Sequence, residues 1–218
     1  MSYVPVRRWF VLTSSILLSL GLAACGGSLD RGSSSTLQPA AEAGLETAIF
    51  AAGCFWCVEE AFDPVPGVVE TTSGFVGGHA ENPTYEQVVR GGTGHAEAVL
   101  VTFDPKQVTY EELLAVFWRN VDPTDAGGQF CDRGSAYRSG IFYLSDVQAR
   151  QARASKRALE RDPQAPSPIV TEITAATPFY RAEDYHQGYY QRNPLRYSYY
   201  KSSCGRAARL AGLWGEAG

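Results

Sequence analysis

The run Thr47-Ala48-Ile49-Phe50-Ala51-Ala52-Gly53-Cys54-Phe55-Trp56-Cys57-Val58-Glu59-Glu60-Ala61-Phe62 decides the local fold. Thr47 to Ala52 is strand-like, Gly53 is a turn residue, and Pro64 and Pro66 close off the stretch from Val58 to Phe62. The reading is strand, glycine turn, short helix, with Cys54 at or beside the helix N-terminus. Free N–H groups and the helix dipole there favour a thiolate, so a lowered pKa is expected for Cys54. A deprotonated cysteine followed by Phe55 and Trp56 reads as a nucleophile beside an apolar pocket.

Upstream, Arg7 and Arg8 precede an apolar run from Trp9 to Leu20, followed by Leu22-Ala23-Ala24-Cys25. A basic start, an apolar centre and small residues at the cut have the form of an export signal. The run is short for a membrane span, which is the competing reading. The Leu-Ala-Ala-Cys ending resembles a bacterial lipoprotein cleavage site. The expectation is a signal over 1–24, a lipid on Cys25 and a membrane-anchored catalytic domain in the periplasm or cell envelope. Residues 25–44 are rich in Gly, Ser and Ala and read as a flexible linker. Residues 45–218 are long enough for one domain with its own core. The chain carries a formal net charge of −4 and no basic block beyond the signal, so nucleic acid is not an expected partner.

Strands are expected at Thr47–Ala52, Val68–Phe75, Ala96–Phe103, Ser139–Leu144 and Ile169–Ala175. Thr84-x-x-Gln87 and Thr109-x-x-Glu112 are capping boxes that start helices. Ser145-x-x-Gln148 starts a third, running to about Arg161. Strands interspersed with helices point to a two-layer α/β domain. From Pro194 onward Tyr and Gly dominate and periodicity fades, so an irregular C-terminal tail is expected.

Cys54, Cys57, Cys131 and Cys204 permit three disulfide pairings, between which the sequence does not choose. They also supply four sulfurs for zinc, but Cys131 and Cys204 stand alone, whereas zinc ribbons usually repeat the C-x-x-C knuckle. Redox chemistry suits the Cys54-x-x-Cys57 pair better, and no metal is expected. Glu97, in Gly94-His95-Ala96-Glu97-Ala98-Val99, shares a strand face with Val99, Val101 and Phe103. Burial there would raise its pKa and keep it protonated, as a proton donor requires. The competing reading is an edge-strand carboxylate in water. His186 is open between a surface position and a site position.

GCFWC, GFVGGHAENPTYEQV, GHAEAVLVTFDP, CDRGSAYRSGIFY and TPFYRAEDYHQGYY together resemble the type A peptide methionine sulfoxide reductases, in matching order from about Thr47 to Tyr200. The resemblance implies a two-layer ferredoxin-like α/β roll and reduction of methionine-S-sulfoxide, in proteins and free. It implies Cys54 as nucleophile, Phe55 and Trp56 as the S-methyl pocket, and Glu97 as the acid. Tyr85 and Tyr137 match hydroxyls that hold the sulfoxide oxygen, and Asp132 a supporting acidic position. Cys54 would become a sulfenic acid, then a disulfide, and a thioredoxin-like dithiol would reset it. No cofactor is implied, and a monomer is expected. Cys57 stands where many members have glycine, so the resolving thiol is open: Cys204, in a Gly/Ser-flanked tail, is favoured and Cys57 is next. Two rivals remain, a general thiol–disulfide oxidoreductase and a non-catalytic lipid-anchored binding protein. The first gives Glu97 and the Phe55-Trp56 pocket no task, and the second would tolerate Cys54→Ser.

Overall fold

The computed structural model describes residues 44–215. The expected signal, Cys25 and nearly all of the linker lie outside the described residues. Among the described residues no helix is long and apolar enough to cross a membrane.

The chain opens with β1 (Glu46–Ala52), α1 (Phe55–Phe62), β2 (Val68–Val76), α2 (Tyr85–Arg90), β3 (Ala96–Phe103) and α3 (Tyr110–Arg119). A two-residue hairpin follows, β4 (Gly128–Gln129) with β5 (Asp132–Arg133). Next come β6 (Ser139–Tyr143), α4 (Asp146–Arg161), β7 (Glu172–Ala175) and β8 (Tyr180–Arg181). The chain closes with α5 (Tyr189–Arg192), α6 (Pro194–Ser203) and α7 (Arg206–Trp214). One sheet has the order β7-β6-β1-β3-β2-β8. Its centre is antiparallel, with Phe50 opposite Val99 and Phe75 opposite Glu97, and β7 joins β6 in parallel. The four strands β6-β1-β3-β2, with α1 and α3 against one face, form the two-layer ferredoxin-like α/β arrangement.

The strand alternation sorts the side chains. Ala48, Phe50, Ala52, Val99, Val101 and Phe103 face α1 and α3, while Ile49, Ala51, Ala98 and Leu100 line the opposite face. Phe50 stacks on Phe62 of α1 at 4.9 Å and on Phe117 of α3 at 5.4 Å. Burial of each such ring stabilises the fold by about 1.5–3 kcal/mol. The capping boxes at Thr84 and Thr109 form as the spacing requires, each hydroxyl accepting the N3 amide while the Gln87 or Glu112 side chain accepts the cap amide. Ser145 likewise caps α4, but the Gln148 side chain accepts from the Leu144 amide and donates to the Thr47 carbonyl.

Two expectations are corrected. The strand expected over Ile169–Ala175 begins only at Glu172, because Val170 and its neighbours pair with the loop after α3: the Val170 amide donates to the Pro123 carbonyl at 2.8 Å. The C-terminal region is not an irregular tail. Pro194 occupies the first turn of α6, where its missing N–H costs nothing, and Gly205 adopts the left-handed conformation that separates α6 from α7. Only Tyr197 of α6 is buried, so no apolar stripe announces this helix in the sequence. Its ties are polar: the Tyr197 hydroxyl donates to Glu60 of α1 at 2.6 Å, and Lys201 pairs with the same carboxylate.

Candidate active site

Gly53 makes the bend from β1 into α1. Its φ is +81°, and a Cβ there would lie 2.6 Å from the Gln129 side chain, so glycine meets both demands. The bend leaves Cys54 as the N-cap of α1. The first helical amide, that of Phe55, donates to Glu97 Oε2 at 3.1 Å. β3 runs past the helix start and delivers Glu97 from the face that also carries Val99 and Val101.

Cys54, Glu97, Tyr85 and Tyr137 border a cavity of about 50 Å³, together with Asp132, Tyr200 and the rings of Phe55 and Trp56. Seven of these eight were singled out from the sequence, and all seven converge here. Glu97 is 1% exposed, and burial raises its pKa to about 8, with the Asp132 charge adding to the effect and the Phe55 amide opposing it. At neutral pH it is therefore chiefly a carboxylic acid, and its Oε1 has no protein partner. The Tyr85 and Tyr137 hydroxyls hydrogen-bond to one another, and burial beside Glu97 pushes both above the ordinary tyrosine range. Asp132 accepts from the Tyr200 hydroxyl at 2.5 Å, and burial raises its pKa.

The expected lowering of the Cys54 pKa is overturned. Cys54 is 6% exposed, and desolvation pushes its thiol well up, reinforced by Cys57 and Glu97. The Tyr200 hydroxyl works the other way. The position at the helix start is as expected, but Glu97 occupies the first amide and burial outweighs the dipole. Cys57 is the more acidic thiol, brought to about 7 by the Cys54 hydrogen bond and by Arg206 and Lys201, against the cost of its own burial. Arg206 is buried, its guanidinium donating to the Ala52 and Asn120 carbonyls and lying 4.4 Å from the Phe130 ring.

The four thiols form two pairs. Cys54 and Cys57 are free and adjacent, while Cys131 and Cys204 are joined in a disulfide. Cys204 therefore does not stand in a swinging tail. It caps the ordered α6, with its amide on the Tyr200 carbonyl, and its sulfur is held by Cys131.

Sequence reasoning missed Tyr200 and Arg206 and left His186 open. His186 is buried; its Nδ1 accepts from Trp56 Nε1 at 3.2 Å, and its ring lies 4.9 Å from that of Phe55. Burial lowers its pKa to about 4, so it is neutral at pH 7. Tyr189 stacks on Trp56 at 3.9 Å and closes the outer side of the indole. Glu59 accepts from the Gly188 amide at 3.2 Å and anchors this segment to α1.

A buried acid, a cysteine, two hydroxyls and an aromatic wall about one small cavity can hold a polarised oxygen, an apolar methyl group and a reacting centre at once. The family model described as peptide methionine sulfoxide reductase matches residues 46–217. A Bacillus subtilis (strain 168) protein named peptide methionine sulfoxide reductase MsrA is 52% identical over 170 residues, covering 78% of this chain and 96% of that relative. Methionine sulfoxide reductase A of Corynebacterium diphtheriae superposes with a TM-score of 0.63 at 38% identity, over 73% of this chain and 78% of the other. Mxr1 of Saccharomyces cerevisiae in reduced form gives a TM-score of 0.65 at 32% identity, over 70% and 87%.

Proposed function

Since the chain belongs to the peptide methionine sulfoxide reductase family, we propose the following division of labour among its residues. The chain is a thiol-dependent oxidoreductase that returns methionine sulfoxide to methionine. The observation that carries the site assignment is Glu97, a buried acid on the first amide of the helix that Cys54 caps.

The S-methyl group lies against Phe55 and Trp56, whose indole His186 and Tyr189 hold in place. The sulfoxide oxygen points to Glu97, Tyr85 and Tyr137, and the sulfur faces Cys54. Three directions about a pyramidal sulfur are then taken, which leaves one epimer able to present its chain to solvent, and the family resemblance makes it the S form. The oxygen is a poor leaving group until protonated, and Glu97 supplies that proton. Cys54 attacks the sulfur as its thiolate, which the Tyr200 hydroxyl stabilises, and its proton is carried off by water. The net step is Cys54–SH plus sulfoxide to Cys54–SOH plus thioether.

Cys57 then displaces water from the sulfenic acid and forms the Cys54–Cys57 disulfide. We assign this step to Cys57 in place of Cys204, since Cys57 already shares a hydrogen bond with Cys54, whereas Cys204 is joined to Cys131. An external dithiol of the thioredoxin class reopens the bond by exchange. The chain works as a monomer, exported and anchored through lipid at Cys25, with methionine sulfoxide in proteins and as the free amino acid as its substrates. Membrane fractionation of wild type and Cys25→Ala tests the anchor, since only the wild type should partition with membranes.

Dithiothreitol-driven reduction of methionine sulfoxide by wild type and Cys54→Ser tests the assignment of the nucleophile. Wild type is expected to turn over and Cys54→Ser to be inactive. Activity retained in Cys54→Ser contradicts it.

A further inference from the structure

The Cys131–Cys204 disulfide lies outside the cavity, and the reaction above does not use it. Its two ends are placed with respect to one hydrogen bond. Cys131 directly precedes Asp132, and Cys204 follows Tyr200 by one helical turn, its amide donating to the Tyr200 carbonyl at 3.1 Å. The Tyr200 hydroxyl donates to Asp132 Oδ2 at 2.5 Å and also interacts with the Cys54 thiol. The covalent bond, with a Cα–Cα distance of 4.8 Å, therefore spans the same gap as the Tyr200–Asp132 hydrogen bond.

Both sides of that gap need a tie. Asp132 sits in a hairpin whose strands are two residues each, next to Phe130 with a φ of +54°. Tyr200 lies near the C-terminal end of α6, a helix whose exposed face carries Leu195 and Tyr199 and which buries only Tyr197. The Glu60 contacts fasten α6 to α1 but do not reach the hairpin.

We propose that the Cys131–Cys204 disulfide is a positioning clasp that holds the Tyr200 hydroxyl between Asp132 and the Cys54 thiol. As the Cys54 thiolate develops, the Tyr200 O–H turns from Asp132 to the sulfur and stabilises it, and Asp132 keeps the hydroxyl within reach. A cross-link across a short gap removes the freedom that the hydrogen bond would otherwise have to restrain, and preorganised groups act without reorganising during the reaction. The inference rests on Cys54 as the nucleophile. It makes Cys131 and Cys204 positioning residues for the reaction, with no part in electron transfer.

A mutant cycle in the full chain tests this, using Tyr200→Phe, the paired Cys131→Ser/Cys204→Ser variant, and all three changes together. Single-turnover methionine formation is measured on protein with Cys54 and Cys57 reduced and, in chains that retain both residues, Cys131–Cys204 intact by peptide mapping. Each variant is expected to lose about ten-fold in rate, the scale of one hydrogen bond, and the triple variant to be no slower than Tyr200→Phe. The pH profile of Cys54 alkylation by iodoacetamide should move to higher pH in both Tyr200→Phe and the paired variant. Wild type reduced at all four thiols should match the paired variant, which checks the result without a substitution.

Independent, additive losses overturn the proposal. So does an unchanged single-turnover rate and alkylation profile in the paired variant or in fully reduced wild type. A normal first turnover with lost recycling also overturns it, and assigns the pair to electron delivery. Failure of the nucleophile assignment is read separately, as activity retained in Cys54→Ser.

Discussion

The Phe55 amide donates to Glu97 Oε2 at 3.1 Å, so the helix that Cys54 caps also holds the Glu97 carboxyl. This contact leaves Glu97 Oε1 directed to no protein partner. Replacing the carboxyl with an amide keeps the contact and removes the acid. Glu97→Gln is expected to slow single-turnover methionine formation by about 10²–10⁴-fold, with a much smaller change in substrate binding. Rapid-quench measurement of methionine against substrate concentration checks this.

The same residue sets a pH dependence. Its folded pKa of about 8 lies above the unfolded carboxyl value, so the folded state holds the proton longer. Stability from this group is full below the unfolded pKa, declines as pH rises above it, and is lost by the folded pKa. Each unit corresponds to about 1.4 kcal/mol. Thermal unfolding should therefore show Glu97→Gln gaining on wild type between pH 5 and pH 8. The wild-type rate of sulfoxide reduction should also fall as pH passes about 8, a limb that Glu97→Gln lacks.

The indole of Trp56 is a pocket wall held by His186 and Tyr189. Trp56→Ala removes apolar surface worth about 2 kcal/mol against the substrate methyl group and its neighbours. A fall in kcat/KM of about 30-fold is expected, measured by steady-state kinetics with free and peptide-bound sulfoxide.

Gly53 combines a φ of +81° with a Cβ position 2.6 Å from Gln129. Gly53→Ala is expected to lower the melting temperature and, by displacing Cys54 from the mouth of α1, to cost more than ten-fold in activity. Calorimetry and the single-turnover assay check the two effects.

The resolving step separates two thiols. Cys57→Ser should release one equivalent of methionine at the wild-type scale and then stop under a thioredoxin-type reductant. Cys204→Ser should continue to cycle. Methionine released per enzyme, followed over several equivalents, distinguishes them.

The parts of the site that lie close together along the chain were legible in the sequence. Gly53, Cys54, Phe55 and Trp56 form one strand-turn-helix unit, and the strand period alone places Glu97 on the face of Val99 and Val101. The parts that depend on distant packing were not. Tyr200 reaches Cys54 only because α6 folds back on α1 through Glu60, and α6 has too little buried surface to show a helical stripe. Arg206 comes to face Cys57 by the same route. The Cys54 pKa was misread because a helix N-terminus is visible in a sequence, whereas the burial that opposes it is a property of the assembled site.

The most direct test of the proposed reaction is reduction of separately prepared S and R epimers of methionine sulfoxide by dithiothreitol-driven enzyme, followed on a chiral column. Wild type is expected to consume the S epimer and form an equal amount of methionine, the R epimer to persist, and Cys54→Ser to consume neither. Equal consumption of both epimers, or methionine formation by Cys54→Ser, would contradict it.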